Sequence, residues 1–224
     1  MNELTTAVPK PMLPVAGRPL LEYKLDALPE EVSEVVLIVG YLKEVVKHHF
    51  GPAYGERKIT YVEQTELNGT AGAIWSAKEL LKGRFLVMMG DDIYAKEDIV
   101  ECISKEDSWV LLTQQLPEMH RAGYVELDDE GRIKNIIESD AEDAERMEPG
   151  IASTNLYVLD DRLFSCPLIS KHEGSLEFGL PQTVVAAAKK LGIPFEPVYT
   201  DKWIQITTPR DLVMAAERLK KLNP

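Results

Sequence analysis

The chain has 224 residues, 45% of them hydrophobic and 28% charged, ordinary figures for a globular protein long enough to bury one large core. A net charge of −12 and a pI of about 4.9 argue against a general nucleic-acid binder, which carries a basic patch, although a few local cations can still hold a nucleotide's phosphates. No apolar run reaches the roughly 20 residues that span a bilayer, no signal peptide opens the chain, and Cys102 and Cys166 fit no zinc spacing. The expectation is therefore a cytoplasmic protein with neither a nucleic-acid nor a membrane partner.

In chain order, residues 35–39 form a β-branched run closed by Gly40 and read as a buried strand. Residues 41–50 have helical spacing and stop at Gly51-Pro52. A short strand is expected at 59–62. A helix is expected at 70–81, capped by Asn68 or Thr70 and ended by Gly83. Residues 85–89 make another buried strand, ending in Gly90-Asp91-Asp92. This β-α-β-α-β order predicts a parallel sheet with helices on both faces. Beyond it, strands are expected at 109–115 and 151–159, with a hairpin of 124–127 and 132–137 turning at Asp128-Asp129-Glu130-Gly131. A helix at 178–191 accommodates Pro181 in its first turn. Short strands at 195–199 and 203–206 precede an amphipathic helix at 209–222, opened by Thr207-Thr208-Pro209. The acidic run 138–148 reads as a solvated loop or surface helix. With no repeat and no linker, residues 1–224 are expected as a single domain, with halves of about 1–107 and 108–224.

Three places stand out chemically. Lys10 lies in Pro9-Lys10-Pro11-Met12-Leu13-Pro14, where closely spaced prolines stiffen the backbone and can turn a surface lysine into a positioned charge for phosphate. The segment from Gln64 to Thr70, with Asn68 and Gly69, leaves the C-terminal end of a strand, where open α/β sheets bind ligands. It reads either as a plain helix cap or as a place where glycine lets a flat base approach and glutamine meets its edge. Asp91 and Asp92 emerge at the same kind of edge. They are a polar turn, or carboxylates of the sort that hold Mg²⁺ together with substrate phosphates. The four histidines show no ligand spacing, and Cys166 has no base in view.

The string Lys10-Pro11-Met12-Leu13-Pro14-Val15-Ala16-Gly17-Arg18-Pro19 closely resembles a motif of the sugar-1-phosphate nucleotidylyltransferase family, and weaker matches continue to about Leu219. The resemblance implies a Rossmann-like α/β fold with a mixed, mainly parallel sheet. It also implies transfer of a nucleotidyl group from a nucleoside triphosphate to a sugar 1-phosphate, with Mg²⁺. Lys10 would contact phosphate, and Asp91 would be the metal ligand. Leu13, Pro14, Val15, Gln64, Asn68, Gly69 and Thr70 would bind the nucleotide. Gly123, Glu138, Ser153, Asn155 and Glu177 would bind the sugar, with Asp92 a further candidate or a helix-side cap, and Glu177 equally a favourable charge at a helix start.

Three departures from the family pattern bear on these roles. Ser139 follows Glu138 where lysine is common; Ser153 and Asn155 replace an asparagine and a glycine; and Gln205 replaces a second metal-binding aspartate in Trp203-Ile204-Gln205-Ile206-Thr207-Thr208-Pro209. In the family a strand and a Gly-rich loop precede the Lys10 motif, whereas Met1 falls where that loop ends. A chain lacking them is expected to be impaired, and either to form a homo-oligomer or to rearrange its exposed sheet edge. The rival readings are a non-catalytic regulatory relative that binds a nucleotide or nucleotide sugar, and an interaction domain with no ligand site.

Overall fold

The structure is a computed structural model that describes residue 5 and residues 8–119, 123–138 and 148–222. In chain order the elements are β1 (Pro14–Val15), β2 (Arg18–Pro19), α1 (Leu20–Ala27), β3 (Glu34–Val39), α2 (Lys43–Phe50), β4 (Ala53–Tyr54), β5 (Arg57–Glu63), α3 (Gly69–Ser76), β6 (Arg84–Val87), α4 (Lys96–Ser104), β7 (Trp109–Leu116), β8 (Tyr124–Leu127), β9 (Ile133–Ile137), β10 (Gly150–Asp160), α5 (Leu180–Leu191), β11 (Phe195–Thr200) and α6 (Pro209–Leu222). They fall into two compact units, each assembled from separate stretches: Met1–Glu63, Met89–Ile99 and Lys202–Pro224 in the first, Gln64–Met88 and Val100–Asp201 in the second.

In the first unit β3 and β5 pair in parallel, from Glu34 opposite Lys58 to Val39 opposite Glu63. Parallel neighbours need a crossover, and α2 supplies it, burying Val46 and Phe50 and stopping at Gly51 with φ of 61°. A second core gathers Leu13, Val15, Leu20, Ile93, Ile206 and Ala215, with Leu212 and Leu219 of α6 packed against it. Apolar burial thus fixes the Lys10 loop, the residues after Gly90 and the segment before α6 to one another.

The second unit is built on β10, most of whose residues are buried. β7 lies antiparallel along one edge. The 11-residue length of β10 leaves room on the other edge for two partners, β6 at 157–160 and β8 at Ala152, both antiparallel. β11 adds in parallel to β7, and the order is β11-β7-β10-β8-β9.

The expected strands up to residue 199 and the hairpin are present with small shifts in their ends. β6 differs in its partner: the β-α-β-α-β pattern suggests a parallel neighbour, and it pairs antiparallel with β10 instead. Residues 203–206 form no strand beyond a bridge between Ile204 and Ile93. α3 ends at Ser76, where Leu80 and Leu81 both turn back to the Ala77 carbonyl, because the exposed Lys78-Glu79-Leu80 stretch has no apolar face to bury. Helices α1 and α4 are additions to the expected set. Of the acidic run, residues 139–147 lie outside the described residues, as do His120 and Ala122. No described helix is long and apolar enough to cross a membrane.

Candidate active site

Lys10 opens a short 3-10 turn, Lys10–Met12, in which Met12 N–H donates to Pro9 O at 2.8 Å and Leu13 N–H to Lys10 O at 3.1 Å. Residue 90 must be glycine for this turn to sit where it does, since a Cβ there would lie 2.9 Å from Pro11 Cγ. The result is a direct pair: Lys10 Nζ donates to Asp91 Oδ2 at 2.5 Å. Next to the turn, Leu13 and Val15 put their side chains into the core, and Pro14 is the exposed member of the three.

Asp92 behaves differently from Asp91. It is 5% exposed, and its carboxylate accepts from Trp203 Nε1 at 3.2 Å and from Ile206 N–H at 3.3 Å. Burial, and then the neighbouring Asp91 charge, push its pKa up to about 7. Gln205 sits in the same anchored segment, between Ile204 and Ile206. One residue of this cluster was not expected. Lys24 of α1 is 2% exposed, and its ammonium has no hydrogen-bond partner among the described residues. Burial pulls its pKa down to about 8, opposed by the charges of Asp92 and Asp91. The sequence does carry a signal for it: Leu20, Leu21, Lys24, Leu25 and Leu28 are spaced along one buried helical face, with a lysine in the apolar stripe.

Among the described residues no three His, Cys, Asp or Glu side chains converge to hold a metal by themselves. Asp91 nonetheless fits Mg²⁺, which takes one or two carboxylates and completes its shell with water and substrate phosphates. Its side chain is 35% exposed, and Oδ2 is its one hydrogen-bonded oxygen among the described residues.

The second unit brings most of the other expected residues together. Gln64 Nε2 donates to Gly69 O at 3.2 Å and to Asn68 Oδ1 at 3.4 Å. Gly69 has φ of +95°, and a Cβ there would lie 2.4 Å from Phe178 O and 2.7 Å from Phe178 N. Two backbone bonds cross this contact, Phe178 N–H to Asn68 O at 2.8 Å and Ala71 N–H to Phe178 O at 3.0 Å. Thr70 Oγ1 then accepts from Leu180 N–H at 3.0 Å, satisfying one of the free donors that open α5. Glu177 is thereby held against Gly69, its Cβ 3.1 Å from where a Gly69 Cβ would be.

The sugar-side candidates form a second group. Gly123 O accepts from Ser153 N–H at 2.8 Å. Asn155 has φ of +58°, the left-handed conformation that glycine adopts freely and asparagine tolerates. It lies where the β10–β7 register shifts. Its Oδ1 accepts from both Ser153 Oγ and Tyr157 Oη, each at 3.3 Å. Tyr157 is fully buried, and its pKa is raised first by that burial and further by the charge of Glu138. Glu138 Oε2 accepts from Gln182 Nε2 at 3.1 Å. Tyr157 and Gln182 had no signal in the sequence beyond being polar residues in apolar runs. A separate cavity of about 800 Å³ in the first unit, lined by Met12, Glu44, Val45, Lys47, His48 and His49, includes none of the expected residues. Two of its lining side chains already have partners, Lys47 in Glu44 and His49 in Glu22.

A family model described as nucleotidyl transferase matches residues 1–221. The bifunctional protein GlmU of Methanococcus vannielii is 30% identical over 99% of this chain, which spans 52% of that protein's length. The UTP–glucose-1-phosphate uridylyltransferase AglF of Haloferax volcanii is 26% identical over 99% of this chain and 92% of its own. A crystal structure of UDP-glucose pyrophosphorylase complexed with UDP-glucose has the same Rossmann-like fold, with a TM-score of 0.79 at 16% identity over 99% of this chain and 95% of that one. This chain belongs to the nucleotidyl transferase family.

Proposed function

We infer that the protein transfers a nucleotidyl group from a nucleoside triphosphate to a sugar 1-phosphate, giving a nucleotide sugar and pyrophosphate. The observation that carries this reading is the Lys10–Asp91 pair, a cation and a carboxylate held together by a buried core in a chain of this family. An oxygen of the sugar phosphate attacks the α-phosphorus; the bond to the β-phosphate oxygen breaks, and pyrophosphate leaves with the electron pair. No covalent side-chain intermediate is needed, so the residues act by alignment and charge neutralisation.

Lys10 neutralises phosphate charge, moving from Asp91 to the substrate. Asp91 would hold Mg²⁺, which would offset charge on the phosphates. Asp92 anchors the segment carrying Trp203 and Ile206, and Gln205 contributes a neutral amide where a carboxylate would add charge. Gln64, Asn68, Gly69 and Thr70 take the base and ribose, Leu13, Pro14 and Val15 shape the nucleotide side, and Gly123, Glu138, Ser153, Asn155 and Glu177 take the sugar. A cytoplasmic location fits this reading, in which both substrates are small phosphorylated metabolites. Pyrophosphate release, measured across nucleoside triphosphates and sugar 1-phosphates with Mg²⁺, tests the reading.

A further inference from the structure

The start of α5 contains an arrangement that helix capping does not explain. Gln182 is the third helical residue, a position from which glutamine ordinarily reaches back to the N–H of the cap residue. Here the Gly179 N–H donates to Ile169 O at 3.0 Å, and Gln182 sends its Nε2 to Glu138 Oε2 at 3.1 Å. Its own Oε1 is buried with no hydrogen-bond partner among the described residues. A Cβ on Gly179 would lie 1.7 Å from that oxygen, so the amide adopts this position only because residue 179 is glycine. The backbone there, with φ of −84°, would suit any residue.

A buried, unpaired carbonyl oxygen is unfavourable, and flipping the amide would turn that oxygen toward the Glu138 carboxylate. The orientation therefore follows from what Glu138 needs rather than from what the helix needs. We propose that Gln182, seated by Gly179, is a positioning residue for Glu138. It occupies one carboxylate oxygen so that the other, Oε1, is presented to a hydroxyl of the sugar. The inference rests on the reading of Glu138 as a sugar-side carboxylate. Because Leu180 and Phe178 are bonded to Thr70, Asn68 and Ala71, the same helix start also ties Glu138 to the nucleotide-side loop.

The test compares wild type, Gln182→Leu, Gly179→Ala, Glu138→Ala and the Gln182→Leu/Glu138→Ala double variant by steady-state pyrophosphate release. Gly179→Ala keeps the amide but displaces it, so it serves even if Gln182→Leu folds poorly. Each of the two should raise KM for the sugar 1-phosphate about tenfold, with KM for the triphosphate and kcat nearly unchanged. Gln182→Leu should add nothing in the Glu138→Ala background. Equal rises in both KM values, no rise, or an undiminished effect in that background would overturn the inference and leave the proposed function standing. A wild type that releases no pyrophosphate with any substrate pair counts against the function instead. The thermal shift given by uridine and guanosine diphosphate hexoses then replaces KM in the same five proteins, with the same required pattern. A wild type that no nucleotide sugar stabilises overturns both.

Discussion

The Lys10 ammonium and the Asp91 carboxylate are 81 residues apart in sequence and 2.5 Å apart in the first unit. Both side chains are partly exposed, so the pair itself adds no more than about 1 kcal/mol to stability. On the proposed function its importance is catalytic. Lys10→Met and Asp91→Asn should each lower kcat/KM by about 100-fold or more, the range seen when one group stabilising transition-state charge is removed. Melting temperatures should stay close to wild type. A large loss of stability in either variant would mean that the pair is structural.

Gly90 sets the approach of the lysine turn. Alanine there brings a Cβ to 2.9 Å from the Pro11 ring, and neither partner is a flexible side-chain end. Gly90→Ala should cost about 1–2 kcal/mol in urea denaturation, with a loss of kcat larger than that stability change alone produces, because the turn carrying Lys10 must shift.

Gly69→Ala should be the more damaging glycine substitution. It combines φ of +95° with contacts of 2.4 and 2.7 Å to Phe178 backbone atoms, which cannot rotate away. A loss of about 3 kcal/mol or more is expected, together with weaker triphosphate binding. Gly55→Ala, with a similar left-handed φ of +57° and open space around it, should cost about 1 kcal/mol. Equal losses at the two positions would show that the Phe178 contact is unimportant.

The buried Lys24 predicts a pH dependence. Its pKa falls from an unfolded value of 10.5 to about 8 in the folded protein, chiefly through burial. The unfolded chain therefore binds more protons between those values, and the lysine's penalty on folding, complete below pH 8, fades as pH rises to 10.5. Wild type should gain on Lys24→Met by up to about 3 kcal/mol across that window. Parallel stability curves from pH 7 to 10.5 would contradict this.

Much of this molecule is legible in the sequence where local pattern and function coincide. The Gly90-Asp91-Asp92 turn follows a strand-like run, and the Gln64–Thr70 segment opens a helix with the period and glycine placement such a loop requires. Other features depend on long-range pairing. The antiparallel partner of β6 follows from the length of β10, 63 residues beyond the end of β6, and no periodicity within residues 84–87 records it. Asp91 and Asp92 look alike as neighbours in sequence, yet one meets Lys10 while the other is buried against Trp203 and Ile206. Gln182 reads as an ordinary third residue of a helix until Glu138 is brought to it across 44 positions.

Nucleotidyl transfer is decided by pyrophosphate release with Mg²⁺, measured for each pairing of a nucleoside triphosphate with a sugar 1-phosphate. Release is expected for at least one pairing, dependent on both substrates and lost in Lys10→Met and Asp91→Asn. Release that needs no sugar phosphate, or none with any pairing, would contradict it.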